Sequence, residues 1–362
     1  MRMREAVALA YEGRGQASPN PMVGAILERD GEVVGRGFHT YAGVRHAEIV
    51  ALDEAGELAH GATLYVTLEP CSHQGRTGPC ADALIAAGVA RVIAATEDPN
   101  PLVSGAGIRK LRDAGIEVRI EPFEEADKLN EAFVHFMRHR RPLVTLKTAL
   151  TLDGKIAAPD DNRGWITSPT ARAHVQQLRH DSDAILTGIG TVLADDCFLT
   201  DRSGLPRSRS LLRIVLDSRL RLPLGSQMVR SAHDDLVVVA TSAAAADRKH
   251  QLEERGVRVL VFDGANGRAD IRQTVDWLGE QRYLSLLVEA GSKVNWAVLE
   301  AEAADKLYFY YAPKILGGTE SLPMAGGLGR RRRSDAICVD RLTLHSIAQN
   351  EFAVEGYVHR DY

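Results

Sequence analysis

Four residues near the start of the chain have the types and spacing that could hold a metal ion and move protons. His46 and Glu48 belong to the segment HAE, and Cys71 and Cys80 belong to the later segment LEPCSHQGRTGPC. One imidazole nitrogen and two thiolates are three ligands for a tetrahedral zinc ion, which leaves the fourth position for a water molecule. Zinc lowers the pKa of such a water from about 16 to about 7. Glu48 would then move protons between this water and a leaving amine.

The elements predicted around these residues place them at the starts of helices. HAEIVALDEAG and CADALIAAG have helical spacing and end at glycine, and ATLYVTLEP between them reads as a strand. Helix N-termini stabilise negative charge and so favour cysteine as the metal-binding thiolate. A histidine–glutamate pair with two cysteines is the signature of zinc nucleobase deaminases. An isolated HAE arises by chance and two cysteines could be core residues, so the combination carries the prediction.

The chain as a whole alternates strands and helices. VGAILERDGEVVGRGFH predicts a hairpin, and ARVIAAT, GIRKLRDAG and IEVRI predict a strand, a helix and a strand. ADKLNEAFVHFMRHRRP predicts one amphipathic helix that ends at Pro142. The pattern then restarts, with LVTLKTALTLDGKIA, DAILTGIGTV, LLRIVLDS, LVVVAT, VRVLVF, LSLLVEAG and KLYFYYAPKILGG as strands. We therefore predict two α/β domains, residues 1–141 and residues 142–362.

Composition excludes several classes of protein. The 362 residues contain 45% hydrophobic and 25% charged residues, which is typical of globular proteins. Only 4 cysteines are present, so we expect a reducing, cytoplasmic location rather than a disulfide scaffold. No apolar stretch approaches the roughly 20 residues of a membrane helix. Residues 1–141 contain 16 Lys and Arg against 20 Asp and Glu, a net charge of −4 that argues against nucleic acid as a partner.

The second half has no cluster of histidine and cysteine and no G-x-G-x-x-G segment. We therefore do not expect a Rossmann dinucleotide site. It does carry small and polar residues at the ends of predicted strands, in LTLDGKIA, WITS, GIGTVLADD, VLDS and VEAGS. In open α/β sheets, ligands bind at the carboxyl ends of strands, where backbone amides and helix N-termini can hold phosphates. Each segment alone could be an ordinary turn.

The segments TLEPCSHQGRTGPC, PNPMVGAIL and EDPNPLVSGAGI closely resemble the deaminase half of the bifunctional deaminase/reductase of riboflavin biosynthesis. Other zinc deaminases carry Pro-Cys-x-x-Cys, whereas here eight residues separate the cysteines. This resemblance implies a cytidine-deaminase-like three-layer domain in which His46, Cys71 and Cys80 bind zinc and Glu48 is the proton shuttle. It also implies a set of contacts to the pyrimidine or ribose phosphate, made by Asn20, His39, His73, Arg76 and Asn100.

The strand-end segments of the second half, in their order, resemble the reductase half of the same enzyme, whose fold is like dihydrofolate reductase. The resemblance extends from about Val7 to Asn350. It implies NADPH as a second cofactor, bound by Ala149, Trp165, Thr191, Asp195, Ser218 and the turn formed by Gly291, Ser292, Lys293, Val294, Asn295, Trp296 and Ala297. It implies substrate contacts from Arg163, Arg179, Leu199, Arg202 and Glu289, with Lys147 as a helper. Cys197 replaces the proline usual in the family, and no residue that selects NADPH over NADH is evident.

We therefore expect hydrolytic deamination of a diaminopyrimidine ribose phosphate, followed by NADPH-dependent reduction of its ribosyl group, by a homo-oligomer without membrane or nucleic-acid partners. One alternative is a tRNA or cytidine deaminase with an unrelated C-terminal domain. The acidic first half and the long cysteine spacing count against it. The other alternative is an inactive zinc module that binds RNA through Arg330–Arg333, which the presence of Glu48 disfavours.

Overall fold

A computed structural model describes residues 1–74, 78–100, 103–160 and 164–359. The chain divides into two compact units. The first is Met1–Arg140 with Pro206–Arg209, and the second is Arg141–Leu205 with Ser210–Tyr362. Within the described residues, no helix is both long and apolar enough to cross a membrane.

The first unit is a sheet with helices on both faces. The strands are β1 (Gly24–Arg29), β2 (Glu32–Phe38), β3 (Thr63–Val66), β4 (Arg91–Ala94) and β5 (Glu117–Ile120). Their order is β2-β1-β3-β4-β5, with β3, β4 and β5 parallel and the pairs β1–β2 and β1–β3 antiparallel. The helices are α1 (Arg2–Ala10), α2 (Ala47–Ala55), α3 (Cys80–Ala86), α4 (Ala106–Asp113), α5 (Glu124–Leu129) and α6 (Glu131–His139).

The two faces of this sheet have separate hydrophobic cores. Helices α2, α3 and α4 bury Ala51, Leu84 and Leu111 on one face, whereas α1 and α5 bury Val7 and Ala126 on the other. The three layers follow from this division, because each helix can bury only one apolar stripe.

Helix α2 lies unusually close to strand β2, and a glycine makes this approach possible. A Cβ atom on Gly37 would stand 2.0 Å from the carbonyl oxygen of Ala47, the first residue of α2. Any larger residue would push away the helix start that carries Glu48.

The prediction of one continuous helix in ADKLNEAFVHFMRHRRP is wrong. Asn130 separates α5 from α6, with φ −109° and ψ 21°. Its side-chain oxygen accepts a hydrogen bond from the backbone N–H of Met22 at 2.8 Å, and its amide nitrogen donates to the Met22 carbonyl at 2.8 Å. This pairing with a distant backbone segment outweighs the helical periodicity.

The second unit is built on a nine-stranded sheet in its described residues, in the order β11-β10-β9-β8-β12-β6-β13-β16-β15. The strands are β6 (Leu143–Thr151), β8 (Ala184–Gly188), β9 (Leu212–Leu216), β10 (Leu236–Ala240), β11 (Arg258–Val261), β12 (Ser285–Val288), β13 (Lys306–Ala312), β15 (Val339–Ala348) and β16 (Glu351–Val358), while β7 (Lys155–Ala157) pairs with β14 (Leu322–Pro323). The strands from β11 to β13 are parallel, and β16 and β15 add antiparallel.

Helices cover both faces of this sheet. They are α7 (Pro169–His180), α8 (Ile189–Asp195), α9 (Gln227–Arg230), α10 (Ala246–Glu253), α11 (Ile271–Glu280) and α12 (Ser292–Glu300). One face packs Val275 of α11 and Val298 of α12 against the strands, and the opposite face packs Val192 of α8 and Leu252 of α10.

Two predicted strands of this half have wrong boundaries. LVTLKTALTLDGKIA contains two strands, because β6 ends at Thr151 and β7 starts only at Lys155. The hydroxyl of Thr151 accepts the Lys155 backbone N–H at 2.9 Å, which closes the intervening turn. In DAILTGIGTV the strand ends at Gly188, and α8 begins with Ile189. The hairpin of β15 and β16 was absent from the sequence prediction.

Candidate active sites

Three potential metal ligands of the first unit lie together. The ligand atoms of His46, Cys71 and Cys80 are all within 4.8 Å of one another. His46 Nδ1 is 3.2 Å from Cys80 Sγ and 3.5 Å from Cys71 Sγ. A tetrahedral zinc ion with ordinary Zn–S and Zn–N bonds would separate such atoms by roughly 3.5 Å. The three residues therefore fit a zinc ion without rearrangement.

The local fold explains how residues distant in sequence reach this cluster. His46 is the N-cap of α2, and Cys80 is the first residue of α3 after Pro79. Cys71 follows the end of β3, and its sulfur accepts the backbone N–H of Cys80 at 3.3 Å. Two helix starts and one strand end thus direct their polar groups to one point.

The cluster favours charge separation. Hydrogen bonds from the Cys80 thiol, and then from His46 and the Cys80 backbone, lower the pKa of Cys71 to about 4. The hydrogen bond to Cys71 raises the pKa of His46, and the same thiolate, together with burial, raises the pKa of Cys80. The lowered pKa of Cys71 favours its thiolate, the form of cysteine that binds a metal.

Glu48 lies in the first turn of α2 and is only 3% exposed. Burial raises its pKa to about 7, although the charge of His46 opposes this effect. A carboxyl group with a pKa near neutral can both accept and release protons at physiological pH. The structure thus combines an open set of metal ligands with an acid–base group beside it.

A second buried carboxylate holds the loop of Cys71 in place. Glu69 is 5% exposed, and each of its oxygens accepts two backbone N–H groups. Oε2 accepts from Asp98 at 3.1 Å and Gly105 at 2.9 Å, and Oε1 accepts from Gly107 at 2.9 Å and Ile108 at 3.2 Å. These bonds tie the EPC segment to the start of α4.

The expected substrate contacts of the first unit are partly assembled. Asn20 Nδ2 is 3.0 Å from His39 Nε2, and His39 Nδ1 is 2.9 Å from the carbonyl oxygen of Arg45. The rings of His39 and His46 are 5.3 Å apart, so Asn20 and His39 border the metal-ligand cluster. The other expected contacts were His73, which is exposed, Asn100, whose N–H donates to Asp98 Oδ1 at 2.8 Å, and Arg76, which lies outside the described residues.

In the second unit, the acidic residue that follows β12 joins two cations. Glu289 Oε1 accepts Arg179 Nε at 2.7 Å, while Oε2 accepts Arg179 Nη2 at 3.0 Å and Lys147 Nζ at 3.2 Å. Burial raises the pKa of Glu289, but the charges of Lys147 and Arg179 outweigh burial and lower it to about 2. Three residues expected on the substrate side therefore form one charged group, with side chains only 11–12% exposed.

The other expected substrate contacts lie on the loop after α8. Arg179 Nη1 donates to the carbonyl oxygen of Thr200 at 3.0 Å, and the backbone N–H of Arg202 donates to Gln176 Oε1 at 2.9 Å. Leu199 is buried and has a positive φ of 54°. Two side chains of helix α7, those of Arg179 and Gln176, thus hold this loop by hydrogen bonds. Arg163 lies outside the described residues.

The start of α12 has features that fit a phosphate-containing cofactor. Ser292 is 6% exposed, yet among the described residues its hydroxyl lacks a hydrogen-bond partner, as does the hydroxyl of Thr187 at the end of β8. A Cβ on Gly291 would meet only the hydroxyl of Thr191, at 3.8 Å. Backbone amides at a helix start, an unpaired hydroxyl and open space beside a glycine suit the phosphates of a dinucleotide.

The remaining expected cofactor residues have varied surroundings. Ser218 Oγ accepts the Ala269 N–H at 2.9 Å, whereas Trp165 is 67% exposed and lies against the guanidinium of Arg172. Residues 291–297 were expected to form a turn, but Gly291 is the N-cap of α12 and the rest belong to this helix, with side chains that point mostly inward. Asn295 is fully buried, and three others pack against the core, namely Val294, Trp296 and Ala297. Of the remaining expected cofactor residues, Ala149 is partly exposed to solvent, whereas Asp195 and Lys293 are exposed.

Sequence reasoning missed several residues that organise these sites. Glu69 stands in the quoted LEPC segment, and an acidic residue at the end of a buried strand was a usable signal. Asn130 was hidden inside an amphipathic pattern. His180 and Asp201, whose Nδ1 and Oδ2 atoms are 2.9 Å apart and buried, gave no local signal because 21 residues separate them.

Two family models match the chain. Residues 1–96 match the cytidine and deoxycytidylate deaminase zinc-binding region, and residues 142–349 match the RibD C-terminal domain. The second match overturns the alternative in which the C-terminal domain is unrelated to this pathway. The cytidine-deaminase-like and dihydrofolate-reductase-like classes expected from the sequence are confirmed.

Individual relatives agree over nearly the whole chain. The riboflavin biosynthesis protein RibD of Actinobacillus pleuropneumoniae is 43% identical, over 92% of this chain and 89% of that protein. RibD of Escherichia coli is 44% identical, over 87% of this chain and 88% of that protein. The solved structure of Acinetobacter baumannii RibD, form 1, has a TM-score of 0.87 at 36% identity and covers 99% of this chain and 98% of that one. A Thermotoga maritima diaminohydroxyphosphoribosylaminopyrimidine deaminase/5-amino-6-(5-phosphoribosylamino)uracil reductase has a TM-score of 0.83 at 36% identity, covering 99% and 97%. This chain therefore belongs to the RibD family of riboflavin biosynthesis proteins.

Proposed function

We propose that this chain catalyses two consecutive steps of riboflavin biosynthesis. The first is hydrolysis of the 2-amino group of 2,5-diamino-6-ribosylamino-4(3H)-pyrimidinone 5′-phosphate. The second is reduction of the ribosyl side chain, which gives 5-amino-6-ribitylamino-uracil 5′-phosphate. Zinc and NADPH are the cofactors of the two steps. The observation that carries the proposal is the His46, Cys71 and Cys80 cluster with the buried Glu48 beside it.

In the deaminase site, we assign zinc binding to His46, Cys71 and Cys80. Zinc bound there supplies a Lewis acid that makes water a nucleophile at neutral pH. Glu48 would take one proton from the attacking water and deliver it to the ring nitrogen, and would then take the second proton from the hydroxyl group on C2 and deliver it to the departing amine. Water adds at C2, the C2–N bond breaks, and ammonia leaves. The pKa of about 7 at Glu48 supports this two-way transfer.

The pyrimidine and its phosphate are held by residues around this cluster. Asn20 and Asn100 offer both donors and acceptors to the ring edges. His39 contacts both Asn20 and His46, which supports a role for it at the border of the ring site. The family resemblance implies that His73 and Arg76 also contact the pyrimidine or its ribose phosphate, and a guanidinium such as that of Arg76 matches phosphate geometry.

In the reductase site, NADPH supplies the hydride that reduces the anomeric carbon of the ribosyl group. The start of α12, from Gly291 to Ala297, binds the cofactor together with Ala149, Trp165, Thr191, Asp195 and Ser218. The sugar is oriented by the charged group of Lys147, Arg179 and Glu289. The loop with Leu199 and Arg202, together with Arg163, completes the substrate side.

We also propose that residues 1–141 form the deaminase domain and residues 142–362 the reductase domain. The separate hydrophobic cores of the two units support this division. A fragment of residues 1–141 should then release ammonia without NADPH. A soluble, zinc-loaded fragment that released none would overturn the division.

We further propose a homo-oligomer, which the exposed Leu342 and Leu344 on the edge strand β15 support. Sedimentation equilibrium tests it, and a monomer would exclude it.

The deaminase assignment is tested with Glu48→Gln in the full chain. Ammonia release from the diaminopyrimidine should fall roughly 100- to 10,000-fold, because the amide cannot carry protons at neutral pH. Zinc content should stay at one ion per chain. Glu54→Gln is the matched control, since Glu54 is an exposed carboxylate on the same helix. Unchanged ammonia release by the Glu48→Gln protein would refute the assignment.

A further inference from the structure

Four aromatic side chains of the second unit form a cluster that the proposed function does not use. We call His174, Tyr308, Tyr310 and His345 the tyrosine–histidine cluster. His174 Nδ1 and the hydroxyl of Tyr310 share a hydrogen bond of 2.6 Å. The ring centroids of Tyr308 and Tyr310 are 5.2 Å apart, and the ring of His345 stacks on Tyr308 at 5.5 Å. The cluster lies between α7 and the sheet, where Tyr308 and Tyr310 are buried.

This cluster reaches the charged group of the reductase site. Strands β6 and β13 are parallel, with Lys147 opposite Tyr308 and Ala149 opposite Tyr310. Lys147 Nζ lies 5.8 Å from the centroid of the Tyr310 ring and 3.2 Å from Glu289 Oε2. The ammonium group therefore lies between a carboxylate and the face of an aromatic ring.

The carboxylate alone is a weak guide for this ammonium. Arg179 already binds both oxygens of Glu289. Lys147 contacts this carboxylate through one hydrogen bond of 3.2 Å, at the end of a flexible four-carbon stem. An aromatic ring face attracts a cation within about 6 Å and restricts where it can go. The ring of Tyr310 thus supplies the second boundary that a flexible lysine needs.

The ring of Tyr310 is itself held in a fixed orientation. Tyr310 is 1% exposed, so its hydroxyl requires an internal partner, and His174 on α7 provides it. Burial lowers the pKa of His174, which keeps the imidazole neutral and able to share this hydrogen bond. His174 fixes Tyr310, and Tyr310 bounds Lys147.

We propose that Tyr310, held by His174, is a positioning residue of the reductase, which places the Lys147 ammonium against the oxygens of the ribosyl group. This inference rests on the proposed function. When Lys147 is free to move, the sugar still binds, but its anomeric carbon is misplaced relative to the nicotinamide. The turnover number should therefore fall more than the KM for either substrate rises.

The test measures NADPH oxidation by the full-length, zinc-loaded enzyme with the deaminated pyrimidine. Tyr310→Leu removes the ring and should lower kcat roughly 5- to 30-fold, with both KM values within about twofold of the parent. Tyr310→Phe keeps the ring and should preserve more than half of the kcat that Tyr310→Leu loses. Tyr311→Leu and Tyr311→Phe are matched controls, because Tyr311 is the next residue of β13 and stacks on Phe352 instead.

A double-mutant cycle separates positioning from a general structural role. In a Lys147→Gln background, Tyr310→Leu should have no further effect on kcat, because its effect passes through Lys147. Additive losses would overturn the inference, as would a Tyr310→Leu enzyme with unchanged kcat. A parent enzyme that fails to oxidise NADPH with this substrate would instead refute the proposed function. NADPH affinity, measured by fluorescence, reports whether each variant keeps a folded reductase unit, and a loss of affinity equal to the loss of kcat would also overturn the inference.

Discussion

Glu69 should control both the stability of the first unit and its affinity for zinc. The perturbation is Glu69→Gln, which keeps the shape of the side chain and replaces one oxygen by an amino group. Whichever oxygen is replaced, two backbone N–H groups then face a donor instead of an acceptor. Each buried donor left without a partner costs about 1–3 kcal/mol. The free energy of unfolding should therefore fall by roughly 2–6 kcal/mol.

The assay is calorimetry of the full chain, in which the transition of the first unit is identified by its response to zinc chelation. For a unit of this size, about 1 kcal/mol corresponds to a shift in Tm of roughly 4 °C, so the transition should move down by about 8–24 °C. Zinc affinity should also fall, because Cys71 stands two residues after Glu69 and loses its fixed position.

Glu97→Gln is the control for this experiment, since Glu97 is exposed and its side chain accepts a long hydrogen bond of 3.4 Å from Ser104. It should leave Tm and zinc content unchanged. If Glu69→Gln leaves the first transition within about 2 °C of the parent, the four hydrogen bonds do not hold this loop, and the reasoning is wrong.

Cys80→Ser should reduce bound zinc from one ion per chain to none and abolish deamination, whereas the control Cys338→Ser, at an exposed thiol, should leave both unchanged; atomic absorption and ammonia release check this. The pKa of Glu289 is lowered to about 2, so its ionised form should stabilise the second unit fully above pH about 4.5 and progressively less as the pH falls toward 2. The difference in unfolding free energy between the parent and Glu289→Gln should shrink over that range, and a difference that grows on acidification would contradict the assignment. Asp235→Ala should lower the free energy of unfolding by about 3–5 kcal/mol, because it leaves the fully buried Arg213 without its bidentate partner. The Arg213→Met/Asp235→Leu double variant should recover much of that loss, and chemical denaturation measures both.

The metal-ligand cluster could be predicted from the sequence because each of its residues carries a local signal. HAE opens a helix whose apolar residues recur at helical spacing, and the second cysteine opens the next helix after a proline. In the structure, β2 and β3 run in the same direction on either side of β1, so the helix starts that follow them lie at the same edge of the sheet. The sequence motif and the helix starts predicted for it were enough to predict that His46, Cys71 and Cys80 lie together.

The supporting residues could not be predicted in the same way, because their partners are distant and their local patterns indicate something else. Asn130 continues an amphipathic helix in sequence, yet its side chain pairs with the backbone of Met22, 108 residues earlier. Tyr310 belongs to the apolar run KLYFYYA, where an aromatic residue predicts core packing. Only the register of β13 against β6 places its ring beside Lys147.

The two buried carboxylates at the active sites have opposite surroundings, and this difference assigns different chemistry to the two units. Burial raises the pKa of Glu48 to about 7, with the single cation His46 opposing it. The side chain of Glu289 is likewise only 11% exposed, but Lys147 and Arg179 lower its pKa to about 2. A carboxyl group of the first kind exchanges protons near neutral pH, whereas one of the second kind stays charged. Glu48 can therefore serve as the acid–base group of a hydrolysis, while Glu289 acts as a fixed negative charge that orients two cations. Hydride transfer needs such orientation rather than a titrating carboxylate, so the reductase site can keep its charged group unchanged through the reaction.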